Sequence, residues 1–101
     1  MENPKYFKEA CEIIARECVD LLIAKQKDYG PGNINAFGEY GVLVRVNDKV
    51  ERLKHLLSPS GENAPNNESI DDSWRDLTNY PIIAQMVRRG WWNLPLDKEN
   101  E

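Results

Sequence analysis

The chain is poor in the residues that usually announce a metal site or a redox centre. It has one histidine and two cysteines in 101 residues, so a zinc site built from four His and Cys ligands is excluded. Cys11 and Cys18 stand seven apart. On a helix that separates their Cα atoms by about 10 Å, too far for a disulfide. They share a face with Phe7 and Ile14 and read as small core residues. No apolar run nears the roughly 20 residues that span a bilayer, and the opening MENPKYFKEA lacks the hydrophobic segment of a signal peptide. A cytoplasmic protein with no membrane partner is expected. A basic surplus is missing too: 13 Lys and Arg stand against 17 Asp and Glu, a net charge of −4. That argues against polymeric nucleic acid as a partner, yet leaves room for a small anion held by a few bases. There is no internal repeat and no low-complexity tract.

What is present is helical period. Asn3-Pro4 reads as a helix start, with Asn as cap and Pro at the first helical position. Phe7, Cys11, Ile14, Cys18 and Leu21 then repeat at spacings of three and four, one buried stripe of a helix ending near Lys25. KDYGPGN breaks the chain, and the polar NINAFGEYG reads as a loop. A second helix is expected from Val42 to Leu57, with Val46, Val50, Leu53 and Leu57 on one face. Residues 58–67, SPSGENAPNN, carry prolines, glycine and asparagines and read as a loop. A third helix is expected from Asn67 or Glu68 to Arg89, with Gly90 as its C-terminal cap. Pro81 falls inside it and predicts a kink, with two segments meeting near Tyr80. Residues 93–101 form an acidic tail expected to fray. The chain reads as one all-α domain over 1–101, an antiparallel bundle of three main helices. Its core is thin enough that oligomerisation is expected to complete it.

The third helix raises a chemical question. ESIDDSWRDLTNYPII carries Glu68, Asp71, Asp72 and Asp76, although Asp is a poor helix former. At 100° per residue, Asp72, Asp76 and Asn79 lie within about 80° of Glu68 and form one polar stripe. Ile70, Trp74 and Leu77 fall roughly opposite as a packing face, and Asp71 can pair with Arg75 at i+4. The stripe is either a solvated face or one side of a cation site. On the second helix Asp48 and Glu51 can converge on a cation, and Arg45, Lys49 and Arg52 surround them. Carboxylates for a metal beside bases for phosphate oxygens suit phosphoryl chemistry, whereas a surface helix laced with ion pairs such as Asp48–Arg52 is the plain alternative. The loop KQKDYGPGN adds Lys25 and Lys27 for a phosphate, Asp28, and Tyr29 for stacking on a base. Trp91-Trp92 suits either a nucleobase or a subunit interface.

Taken together and in order, KQKDYG, VRVNDKVERLKHLL and ESIDDSWRDLTNY resemble the phage and bacterial nucleotide modification associated domain, type 1. That family is similar to the all-α nucleotide pyrophosphohydrolases of the MazG and dimeric dUTPase group. The resemblance covers about Lys25 to Met86 and implies an α-helical, oligomeric nucleotide-binding protein, often phage-encoded. It further implies Mg²⁺ held by acids on two neighbouring helices. Asp48 and Glu51 match the first Glu-x-x-Glu motif with Asp leading; Glu68 matches the second with Asp71 by spacing, or with Asp72 on the stripe. The doubled Glu-Glu before the first motif is absent, and Pro81 stands where a helix former is usual.

Three functions follow. A Mg²⁺-dependent nucleoside-triphosphate pyrophosphohydrolase would use Asp48, Glu51, Glu68 and Asp72 for the metal, with Glu51 and Glu68 catalytic. Lys25, Lys27, Asp28, Tyr29, Arg45, Lys49, Arg52 and Asn79 would hold the nucleotide. A non-catalytic binder would use the same scaffold to sequester a signalling nucleotide or assist base modification. A helical interaction module would use its Trp pair.

Overall fold

The computed structural model describes residues 3–58 and 67–100. Three helices account for most of them: α1 (Phe7–Tyr29), α2 (Gly32–Leu56) and α3 (Asn67–Arg88), followed by a short 3₁₀ turn at Lys98–Asn100. There is no strand among the described residues, so the all-α bundle expected from the helical period is what forms. The loop read at 58–67 lies, for residues 59–66, outside the described residues.

Local chemistry moves several boundaries. α1 begins at Phe7 rather than at Pro4, with Tyr6 in an extended conformation and no side-chain cap. Glu9, two residues into the helix, accepts a bond from the Lys5 amide at 3.4 Å, just ahead of the helix. At its other end, Gly30 takes φ 67° and donates its N–H to the Gln26 carbonyl at 2.9 Å, a stop that glycine adopts without Cβ strain.

The expected NINAFGEYG loop is instead the first part of α2. Asn35 N–H bonds the Pro31 carbonyl at 3.1 Å to start the helix, and Ile34 is buried. The break comes at Gly38, whose φ 66° and ψ −157° interrupt the helical backbone before it resumes toward Leu56. In α3 the helix continues through Pro81, so the two segments expected near Tyr80 are one. Pro81 is exposed, which leaves the carbonyl it deprives of a partner on the side open to water. α3 ends in a Schellman arrangement: Trp91 N–H bonds Met86 O at 2.8 Å and Gly90 N–H bonds Val87 O at 3.1 Å, with Gly90 at φ 73°.

The core sits at one end. Ile34, Val42, Ile83 and Trp92 pack together, with Leu22, Tyr80 and Met86 against them. Trp92 is the keystone: its indole N–H donates to the Pro31 carbonyl at 3.1 Å. The tryptophan pair therefore divides. Trp92 is buried within its own chain, while Trp91 stays half exposed with the Arg89 guanidinium 5.0 Å over its ring. The tail is tied down next to it, because Asn35 and Asn93 exchange side-chain amide bonds at 2.7 and 3.2 Å.

α2 and α3 form the main packing pair, and α1 lies on α3 along a shorter seam. The radius of gyration, 15.9 Å, exceeds the roughly 13 Å of a compact 100-residue domain. The stripe expected to be buried on α1 is mostly bare as a result: Cys18 is buried, but Phe7 is 86% exposed, Ile14 61%, and Cys11 is exposed. On α3 the expected packing face is half covered: Ile70 and Leu77 are half-buried, while Trp74 is 54% exposed. The inward side of α3 carries Ser73, Asn79 and Ile83 instead.

Candidate functional site

Those buried residues explain the acidic stripe. Ser73, Asp76, Asn79 and Ile83 fall within an arc of about 120° on α3, so the stripe slopes from water into the core. Asp72 is 63% exposed at the side chain and Asp76 16%, while Asn79 is buried. An acid in that position needs partners, and two helices supply them. Lys25 Nζ of α1 lies 3.3 Å from Asp76 Oδ1, and Lys49 Nζ of α2 lies 3.1 Å from Oδ2. One carboxylate thus joins all three helices.

Lys49 reaches Asp76 because of its place on α2. It lies about 40° round the helix from buried Leu53, whereas Glu51 lies about 160° away. The rotation that buries Leu53 and Val42 therefore turns Lys49 toward α3 and Glu51 toward solvent, where it pairs with Lys54 at 3.1 Å.

The Lys25–Asp76–Lys49 bridge forms the wall between two hollows. One, of about 300 Å³, is bordered also by Tyr29, Asn33, Arg45, Asn79, Tyr80 and Trp92. The other, of about 340 Å³, is bordered by Arg52, Ser69, Asp72 and Ser73. In the first, Lys25, Arg45 and Lys49 stand against the single carboxylate of Asp76. That local excess is opposite in sign to the whole chain at −4. Arg45 is half-buried and makes no ion pair among the described residues. Asn79 donates its amide N–H to the Cys18 carbonyl at 3.0 Å, which fixes the orientation of the group. Its Oδ1 is then left buried without a hydrogen-bond partner.

Of the residues expected to hold a ligand, Lys25, Tyr29, Arg45, Lys49 and Asn79 come together around the first hollow, and Arg52 lines the second. Arg52 donates to Ser69 Oγ at 3.1 Å rather than pairing with Asp48. Lys27 faces a neighbouring recess beside Leu94 and Leu96, and Asp28 is exposed; neither joins the group. Arg75 pairs with Asp72 at 3.1 Å, not with Asp71.

The four acids expected to hold Mg²⁺ are dispersed. Asp48 borders a surface groove with Phe37 and Tyr40, Glu51 and Glu68 are exposed, and Asp72 lines the second hollow. Among the described residues no three His, Cys, Asp or Glu side chains gather as a metal-holding group.

Sequence reasoning placed Asp76 on the stripe without giving it a role. Its angular position between Ser73 and Asn79 was the available signal. Asn33 and Tyr80 carry no such signal, and Trp92 only that of an aromatic able to stack or pack, since their place in the wall depends on how the end of α3 meets the start of α2. No helix among the described residues is long and apolar enough to cross a membrane. Comparison of the chain with family models, with curated proteins and with solved structures yields no match.

Proposed function

We propose that the chain binds a nucleotide in the hollow between the three helices, with its phosphates on Lys25, Arg45 and Lys49. The observation that carries this reading is an acidic chain that collects three cations around one carboxylate, with Arg45 making no ion pair among the described residues. A half-buried cation with no counterion costs desolvation energy, and an anionic ligand removes that cost. Tyr29 and Tyr80 offer aromatic faces for a base. Asn79, whose buried Oδ1 has no hydrogen-bond partner among the described residues, borders the same hollow. That the anion is a nucleotide rests on the resemblance of the three motifs to the nucleotide modification associated domain and, through it, to the MazG group.

The reading is for binding, and no hydrolytic step is assigned to these residues, because the acids that would hold Mg²⁺ are not gathered. Sequestration of a nucleotide, or its presentation to a modifying partner, suits such a site. The bare stripe of Phe7, Cys11 and Ile14 along one face of α1 supports association into a homo-oligomer that would cover it.

The test is mass spectrometry of ligand released by denaturing protein that has been incubated with a nucleotide pool and Mg²⁺. Intact nucleotide is the expected result. Monophosphate together with pyrophosphate would contradict binding without turnover, and recovery of no nucleotide would contradict the proposal.

A further inference from the structure

Asp76 uses its two carboxylate oxygens on two different helices, Oδ1 on Lys25 and Oδ2 on Lys49. Two terminal oxygens of a phosphate can bridge a pair of ammonium groups in the same way. The carboxylate is also the inner member of the bridge: its side chain is 16% exposed, against 49% for Lys25 and 28% for Lys49. Both hollows border this bridge, so an anion entering either one meets the same two lysines with Asp76 already on them.

We propose that Asp76 is an internal stand-in for the ligand's phosphate, holding the lysine pair in the free protein and giving up at least one ammonium when the ligand arrives. The inference rests on the reading of the hollow between the three helices as a phosphate site and adds a class of ligand to it. Displacing a carboxylate that carries a single charge favours an anion with more charge on one group. A terminal phosphate, at about −1.5 to −2 near neutral pH, meets that requirement; a carboxylate or a phosphodiester, at one charge, does not. Arg45 makes the exchange feasible, because its unpaired charge draws the anion in while Asp76 is still in place. Releasing one ammonium leaves the carboxylate on the other, so the largely buried Asp76 keeps one counterion through the exchange. Asp76 is then a positioning and competing residue, and its removal strengthens anion binding. A metal ligand or a general base at this position would give the opposite sign.

The experiment is calorimetric titration of the full chain and of Asp76→Asn with two probes, inorganic phosphate and ADP, in EDTA. The expected result is binding of both probes about tenfold tighter in Asp76→Asn, as removal of one opposing charge near the anion requires. In the wild-type chain, the ¹³C carboxylate resonance of Asp76 should shift on addition of phosphate and stay in place at matched ionic strength of sodium chloride. If Asp76→Asn does not fold, that resonance decides alone. Equal or weaker binding by a folded Asp76→Asn, or an unmoved resonance under saturating phosphate, overturns the stand-in role and leaves the hollow intact as a site. Failure of both probes to bind either protein overturns the hollow as a site, and the inference with it.

Discussion

Replacing Gly38 by alanine isolates a backbone cost, because an added Cβ at this position meets nothing within 4 Å. The residue sits at φ 66° and ψ −157°, a region that residues other than glycine occupy only at about 1–3 kcal/mol. All of that penalty is conformational. Two other glycines of α2 serve as references. Gly32 has open space and an ordinary φ, so Gly32→Ala should stabilise by about 0.5 kcal/mol through the unfolded chain's lost freedom. At Gly41 a Cβ would stand 2.5 Å from Phe37 Cβ. Gly41→Ala must therefore shift the two parts of α2 against each other, at about 1–3 kcal/mol.

Urea unfolding followed by circular dichroism measures all three. With a slope of about 1 kcal/mol/M for a small domain, Gly38→Ala should lower the midpoint by roughly 1–3 M at unchanged slope. A Gly38→Ala midpoint equal to wild type would mean that α2 runs straight through residue 38. The wall made by Asn33 and Ile34 would then be placed wrongly.

Other expectations follow from packing. Pro81→Ala should stabilise by about 2 kcal/mol in the same assay, the interior penalty of about 3 kcal/mol less roughly 1 kcal/mol of unfolded-state entropy; a loss would mean that the ring makes contacts α3 needs. Trp92→Ala should cost about 3–5 kcal/mol, enough to unfold much of a marginal domain, whereas Trp91→Ala should change little. Thiol labelling of the chain diluted to monomer should modify exposed Cys11 well before buried Cys18, which is reached only as the chain opens. Equal rates would contradict the seam between α1 and α3.

The helices were legible because their signals are local. Period three and four over α1, the Gly-Pro-Gly break after it and Gly90 at the end of α3 each act within a turn or two. The extent of burial was not legible. The pattern Phe7, Cys11, Ile14, Cys18 names a face but not what covers it, and in this chain α3 covers only the Cys18 part. NINAFGEYG reads as a loop by composition, yet Ile34 and the Trp92–Pro31 bond fold its first half as helix, a contact between residues 61 apart. The site divides in the same way. Lys25, Arg45, Lys49 and Asn79 were identifiable as residues able to meet an anion. Which acid they meet depends on helix rotation, and that depends on the burial of Val42 and Leu53. Motif resemblance points to Glu51 and Glu68, whereas the packing brings in Asp76.

The central claim is that an anion site exists where Lys25, Arg45 and Lys49 converge. Calorimetric titration of ATP in EDTA into wild type, an Arg45→Ala/Lys49→Ala variant and Lys27→Ala tests it most directly. Each charge-assisted hydrogen bond lost is worth roughly 1.5–3 kcal/mol. The double variant should therefore bind at least about tenfold more weakly, and Lys27→Ala, whose side chain faces the neighbouring recess, should bind as wild type does. No binding by the wild type, or equal weakening by Lys27→Ala and the double variant, would contradict the site.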